Sequence, residues 1–140
     1  MTAREGIRET IGRYAHLVDA GRIDELMELF AEDAVLEAGA LPPATGRAAI
    51  AAFFQGTGGR LAAASKGRPL IRHHVSNIVI DVTGPEAADA RSYFMAITER
   101  GPDHWGRYRD RLARSGERWL FRSRLVRVDG RAAGSVFGSP

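Results

Sequence analysis

Ile71-Arg72-His73-His74-Val75-Ser76-Asn77-Ile78-Val79-Ile80-Asp81-Val82 is the most strand-like run in the chain, and it carries two adjacent histidines. Its reading decides the fold, because the pattern before it is helical and the pattern after it keeps period two almost to the end. On a strand successive side chains point to opposite faces, so His73, Val75, Asn77 and Val79 share one side and His74, Ser76, Ile78 and Ile80 the other. One histidine therefore looks inward and one outward. Both faces carry aliphatic residues, so alternation alone leaves open which is which.

Working back toward the N-terminus, Ile7, Ile11, Tyr14 and Val18 fall at i, i+4, i+7 and i+11, one face of a helix over residues 5–20. At about 100° per residue Asp19 lies at the edge of that apolar stripe and can reach a core cavity, while His16 lies opposite it, in solvent. Gly21 is the expected C-cap. Asp24 or a neighbour opens a second helix with Ile23, Leu26, Met27 and Phe30 on its buried side. Residues 34–38 form a short strand, Pro42-Pro43 breaks regular structure, and Thr45-Gly46 opens a third helix with Ile50, Phe53, Phe54 and Leu61 toward the core. The Gly56–Gly59 cluster is the expected place for that helix to bend. It lacks the Gly-Lys-Ser/Thr ending of a phosphate loop.

Working forward, Gly84-Pro85 turns the central stretch into a second strand, residues 87–98, which Gly101-Pro102 ends. Residues 104–114 alternate most cleanly, with Arg107, Arg109 and Arg111 on one face and Gly106, Tyr108, Asp110 and Leu112 on the other. An arginine face belongs in solvent, so Tyr108 and Asp110 should face inward. Ser115-Gly116 is a hairpin turn and residues 119–128 the last strand. The prediction is one domain over residues 1–129 and a flexible tail over residues 130–140. Helices first and consecutive antiparallel strands afterward make an α+β domain, with a ligand pocket on the concave side of a curved sheet.

Composition narrows the function. At 140 residues the chain fits a single domain with a real core. It has no apolar run long enough to span a bilayer and no signal-peptide pattern, so the expected location is the cytoplasm, with no membrane partner. Zero cysteines exclude disulfides and a thiol nucleophile. The pI of 9.9 comes with a net charge of only +3 and a basic inventory in which Lys66 is the only lysine. The arginines are scattered or alternate with core-type residues, so no nucleic-acid partner is expected. No HExxH, carboxylate cluster or Gly-x-Ser-x-Gly elbow is present, and His73 and His74 point apart, so neither a metal nor a cofactor is expected.

Five segments together resemble a known family: Ile11-Gly12-Arg13-Tyr14-Ala15-His16-Leu17-Val18-Asp19-Ala20-Gly21, Leu29-Phe30-Ala31-Glu32-Asp33-Ala34, Gly46-Arg47-Ala48-Ala49-Ile50, Arg72-His73-His74-Val75-Ser76-Asn77, and Tyr108-Arg109-Asp110 with Gly116-Glu117-Arg118-Trp119. In that order, across residues 5–128, they look like the SnoaL-like branch of the nuclear-transport-factor-2-like superfamily. The resemblance implies a cone-shaped α+β barrel, three N-terminal helices on a strongly curved, mostly antiparallel sheet, a deep apolar pocket, and a dimer or larger homo-oligomer. It includes scytalone dehydratase, ketosteroid isomerase and polyketide cyclases beside noncatalytic members, so the fold leaves function open. Asp19 matches the acidic position that pairs with a pocket histidine in scytalone dehydratase-like proteins. That histidine matches His73 or, with a one-residue slip, His74. Scytalone dehydratase has a second pocket histidine on the next strand, where this chain has Ile97-Thr98-Glu99. In the ketosteroid isomerase comparison Glu99 or Asp110 is the nearest carboxylate.

A histidine beside a carboxylate in an apolar pocket suits proton transfer, since imidazole titrates near neutrality and the carboxylate fixes its tautomer. The expected catalytic set is Asp19, His73 and Tyr14, with His74 and Glu99 as alternatives. Phe53, Phe54, Asn77, Tyr108 and Asp110 are expected to contact substrate. Tyr14 or Tyr108 could polarise a carbonyl, and the set would serve dehydration, isomerisation or aldol-type cyclisation of a hydrophobic small molecule. His104 and Trp105 read as rim or interface. The alternative is a ligand-binding or subunit-assembly module without turnover. A homodimer is expected from the aliphatic residues that a two-sided strand at 75–82 would leave in water.

Overall fold

The computed structural model describes residues 1–65 and 69–137. Helix α1 spans Ala3–Ala20. Thr2 and Glu5 close a capping box at its start: the Thr2 hydroxyl accepts the Glu5 N–H at 3.2 Å, and the Glu5 carboxylate accepts the Thr2 N–H at 2.7 Å. Gly21 ends it at φ 68°, a left-handed conformation that costs a residue without Cβ nothing. Ile7, Ile11 and Tyr14 are buried and His16 is exposed, as the helical spacing requires.

Helix α2 is shorter than its pattern predicts, Ile23–Met27, and Phe30 already belongs to strand β1, Phe30–Ala38. Phe30 is still fully buried: a lone aromatic at the right spacing extends a helical face as well as it opens a strand. Strand β2 is only Ala44–Thr45, so helix α3, Arg47–Ala64, begins two residues later than expected, behind Gly46. Arg47 anchors α3 to β1 by donating from Nε and Nη2 to the Phe30 carbonyl at 3.0 and 2.7 Å. The Gly56–Gly59 cluster does not interrupt the helix. Glycine weakens a helix by about 1 kcal/mol relative to alanine but is free to adopt its dihedrals.

Strands β3 (Ile71–Gly84), β4 (Ala87–Thr98), β5 (Gly101–Ser115) and β6 (Arg118–Arg131) form an antiparallel meander. Strand β1 pairs parallel with β6, giving the order β2-β1-β6-β5-β4-β3. The turn between β4 and β5 is Glu99-Arg100, one step before the predicted Gly101-Pro102. The sheet is curled but not closed into a barrel, since β2 and β3 are its two free edges. Helix α1 packs on both the β3 edge and β6, which a flat sheet would hold apart. Two contacts hold it on β6. The Thr10 hydroxyl donates to the Trp119 carbonyl at 2.6 Å, and Gly6 lies so close to Trp119 that a Cβ there would stand 2.9 Å from Cδ1. The core lies between the concave face and the helices, around Phe30, Leu36, Ile50 and Phe121.

Two of the register shifts in the sheet bear on the cavity. In β3 the pairs are Ser76 with Tyr93 and then Val79 with Arg91, so Asn77 and Ile78 together oppose Ser92 in a β-bulge. Asn77 takes φ 55° there. His73 and Val75 point inward before the bulge, and Ile78 and Ile80 after it. In β5, His104 pairs with Ala96 and Pro102 with Ile97, leaving Asp103 as an extra residue. Strand β6 runs to Arg131, past the start of the expected tail, and residues 132–137 form turns tied to Asp103; residues 138–140 of that tail lie outside the described residues.

Candidate functional site

A cavity of about 820 Å³ opens between the helices and the concave face of the sheet. Leu17 and Val18 of α1, Phe53 and Phe54 of α3, and Val126 and Val128 of β6 make its walls largely apolar. His73, His104, Tyr14, Tyr108 and Arg131 bring polar groups to it, and among the described residues no carboxylate lines it.

Regular alternation ahead of the β3 bulge turns His73 into this cavity while its neighbour His74 faces out and is exposed. Asp19, in the last turn of α1, grips His73 twice. Its Oδ1 accepts the ring Nδ1–H at 2.6 Å, and its Oδ2 accepts the backbone N–H at 2.9 Å. Both side chains are nearly buried, 10% exposed for His73 and 11% for Asp19. Because a carboxylate oxygen accepts, the ring nitrogen that meets Asp19 is the N–H donor Nδ1, and Nε2 is the nitrogen left for a ligand.

His104 faces the same cavity from β5, against the expectation of a rim position. Its ring lies 6.3 Å from that of His73 at an interplanar angle of 77°. Its Nδ1–H donates to Asp103 Oδ2 at 2.8 Å. Adjacent residues on a regular strand could not share a face in this way; the bulge at Asp103 permits it. Asp103 also accepts from the Ser135 hydroxyl at 2.7 Å and from the Val136 N–H at 3.2 Å, and the Phe137 ring stands 5.1 Å from the His104 ring. Burial by itself would raise the Asp103 pKa, but Ser135, His104 and Val136 outweigh it and hold the carboxyl below its ordinary value. Burial lowers the His104 pKa despite the pull of Asp103, with the charges of His73 and Arg131 acting in the same direction. His104 is therefore neutral at neutral pH.

Tyr14 and Tyr108 form the floor. Burial raises the pKa of both, Tyr108 the more, so both keep the phenolic proton. Tyr108 stacks on Phe94 with ring centroids 4.5 Å apart. Behind the floor Arg124 lies over the Tyr108 and Tyr14 rings, 3.8 and 4.2 Å from their centroids, and donates to both oxygens of Asp110 at 2.7 and 2.8 Å. This pair is fully buried.

The expected site residues thus divide. Asp19, His73, Tyr14, Phe53, Phe54 and Tyr108 gather at the cavity or directly behind it. Asp110 is inward, as its parity requires, but it is engaged by Arg124 behind the floor rather than offered to a ligand. Asn77 is exposed at the bulge, off the face of His73. Glu99 is exposed in the β4–β5 turn and cannot serve the cavity as a base. Sequence reasoning missed His104 as a cavity residue, together with Arg131 and Phe137. Among the described residues no three metal-ligating side chains converge.

Comparison with known proteins agrees with this fold. The model of the SnoaL-like domain matches residues 1–125. A scytalone dehydratase-like protein from Novosphingobium aromaticivorans superposes with a TM-score of 0.79 at 27% identity, covering 92% of this chain and 85% of its own. An NTF2-like protein with a cystatin-like fold from the same organism gives 0.78 at 29%, covering 97% and 89%. Aln2 from a Streptomyces species shares the fold, with a TM-score of 0.79 at 19% identity and 90% coverage of each chain. With the family model spanning nearly all of its length and the helix-filled curled sheet in place, the chain belongs to the SnoaL-like family.

Proposed function

We propose that the protein is a cofactor-independent acid-base enzyme acting on a hydrophobic small molecule that bears a carbonyl or hydroxyl group, by dehydration, isomerisation or cyclisation. The observation that carries this reading is the pair of carboxylate-backed histidines set side by side, edge to face, in the lining of one apolar cavity. His73 accepts a proton through Nε2 from the carbon next to a substrate carbonyl, and Asp19 balances the charge that develops on its ring. The imidazolium so formed delivers that proton to the departing hydroxyl or to the carbon that receives it, with the neutral His104 ring beside it. In a dehydration one C–H and one C–O bond break, a C=C bond forms and water leaves. Tyr14 or Tyr108 donates a hydrogen bond to the enolate oxygen, since each retains its proton. The scytalone dehydratase-like relative supports this reaction class.

The test is deuterium exchange next to the carbonyl in a panel of hydroxylated aromatic and polyketide-like ketones in D₂O. The wild type should accelerate exchange for at least one member. Asp19→Asn should lower the rate by about 10²–10⁴-fold, the range for general acid-base catalysis, and His73→Ala at least as much. His74→Ala should leave the rate unchanged. The Asp19→Asn/His73→Ala double variant should be scarcely worse than the worse single, because the two act as a unit. Additive losses would break the dyad, and binding of the ketones without faster exchange would favour a noncatalytic binding module.

A further inference from the structure

The geometry points to a substrate that carries an anionic oxygen, a carboxylate or an ionised phenol, held by Arg131. This names the substrate class of the site described above and rests on that reading of the cavity.

Arg131 closes β6 and pairs across the strands with His104, so its side chain enters the cavity beside that ring. Its Nε is buried and has no hydrogen-bond partner among the described residues, and none of the ion pairs there involves it. A buried donor left without an acceptor is costly, more so when the group is charged, so the free protein holds this group at a cost that a ligand can relieve. Arg124 also leaves one buried donor, Nη1, without a partner, but it has its own counter-ion. That guanidinium, fully buried, has Asp110 on it in a two-pronged pair, whereas among the described residues the cavity offers Arg131 no carboxylate. The other arginine among the described lining residues is Arg60, exposed on α3.

An apolar cavity with one half-buried cation and no fixed anion among its described lining residues selects a ligand that is apolar over most of its surface and negative at one point. A planar guanidinium presents parallel N–H donors that suit a carboxylate. Because Arg131 and His104 are register partners, an oxygen seated on the former puts the adjoining carbons of the ligand near the two histidines. The anion then orients the substrate for proton transfer and also offsets the charge that Arg131 imposes on His104.

The test uses 2-naphthoate and its neutral isostere 2-naphthamide, titrated by calorimetry into the intact protein at neutral pH and low salt. The expected result is that wild type binds the acid at least tenfold more tightly than the amide. Arg131→Gln should erase that preference while leaving amide affinity in place, Arg131→Lys should keep part of it, and Arg60→Gln should keep nearly all of it. Equal affinities in the wild type, binding of neither compound, or a preference that survives Arg131→Gln would each overturn the inference. No turnover is involved, so a failure here leaves the exchange experiment standing, and a failure there leaves this one.

Discussion

Asp19 sits where a helix least tolerates a carboxylate. The last turn of α1 carries the negative end of the helix dipole and no basic residue to offset it. Its position makes sense through what it holds, the ring and the backbone of His73 at once. This much was legible in the sequence, because helical spacing put Asp19 at the edge of the buried stripe and strand alternation turned one of two histidines inward. His104 was not legible. Asp103 and His104 are neighbours, and strict alternation sends neighbours to opposite faces; only the extra residue in β5 brings the carboxylate behind its own neighbour's ring. Folding lowers the His104 pKa beneath its ordinary 6.5 and lowers that of Asp103 beneath its ordinary 3.8. In each case the unfolded chain binds more protons between the two values, so stability is present above the ordinary value and is lost as pH falls through the folded one. Denaturant unfolding followed downward from pH 7 should show a first loss beginning near 6.5 and a second near 3.8. His104→Phe should remove the first and retain most of the stability at pH 7; an unchanged profile in that variant would remove His104 as its source.

At the scale of the element, β3 shows why a sequence with apolar residues on both faces can still have one inside. His73 and Ile80 have opposite parity in the sequence, and both are inward in the fold, because Asn77 shifts the alternation by one. The same shift moves Asn77 itself away from the cavity, which is why its expected contact with substrate fails. Periodicity could not reveal this, since a bulge leaves no change in composition; the weak signal is an asparagine in the middle of a β-branched run, the residue type besides glycine most tolerant of positive φ. Asn77→Gly should therefore hold stability within a few tenths of a kcal/mol, whereas Asn77→Val should lower it by about 1–2 kcal/mol, the penalty for a left-handed residue with a full side chain. Chemical denaturation measures both, and a valine variant as stable as wild type would show that the bulge is not held in that conformation. Boundaries of α2, β1 and α3 were misplaced for a plainer reason. Short elements leave too few periods to count, and Phe30 and Thr45 satisfy either reading.

For the whole molecule, the order of helices and strands and the inward set of β5 were legible because long strands repeat their alternation many times. How far the sheet curls was not, since curvature follows from twist and bulges that hydropathy does not record. The convex face carries Tyr93, Met95 and Trp105, exposed by 55, 37 and 40%, on two neighbouring central strands where Met95 and Trp105 are register partners. Val79 continues it on β3. Such a patch favours a second copy of the chain over water, and light scattering at micromolar concentration should give the mass of a homodimer. Tyr93→Arg with Met95→Glu should shift it to the monomer, and a wild type already monomeric would refute the expectation.

The two tryptophans divide these events between them. Trp119 is sealed in the core where Gly6 and Thr10 of α1 meet β6, and Trp105 stands on the outer face. One ring therefore loses its dry surroundings only when α1 leaves the sheet, while the other responds to whatever covers the convex face. The chain carries its own pair of optical labels, an inner one for folding and an outer one for assembly, distinguishable by the colour of their emission without adding a dye.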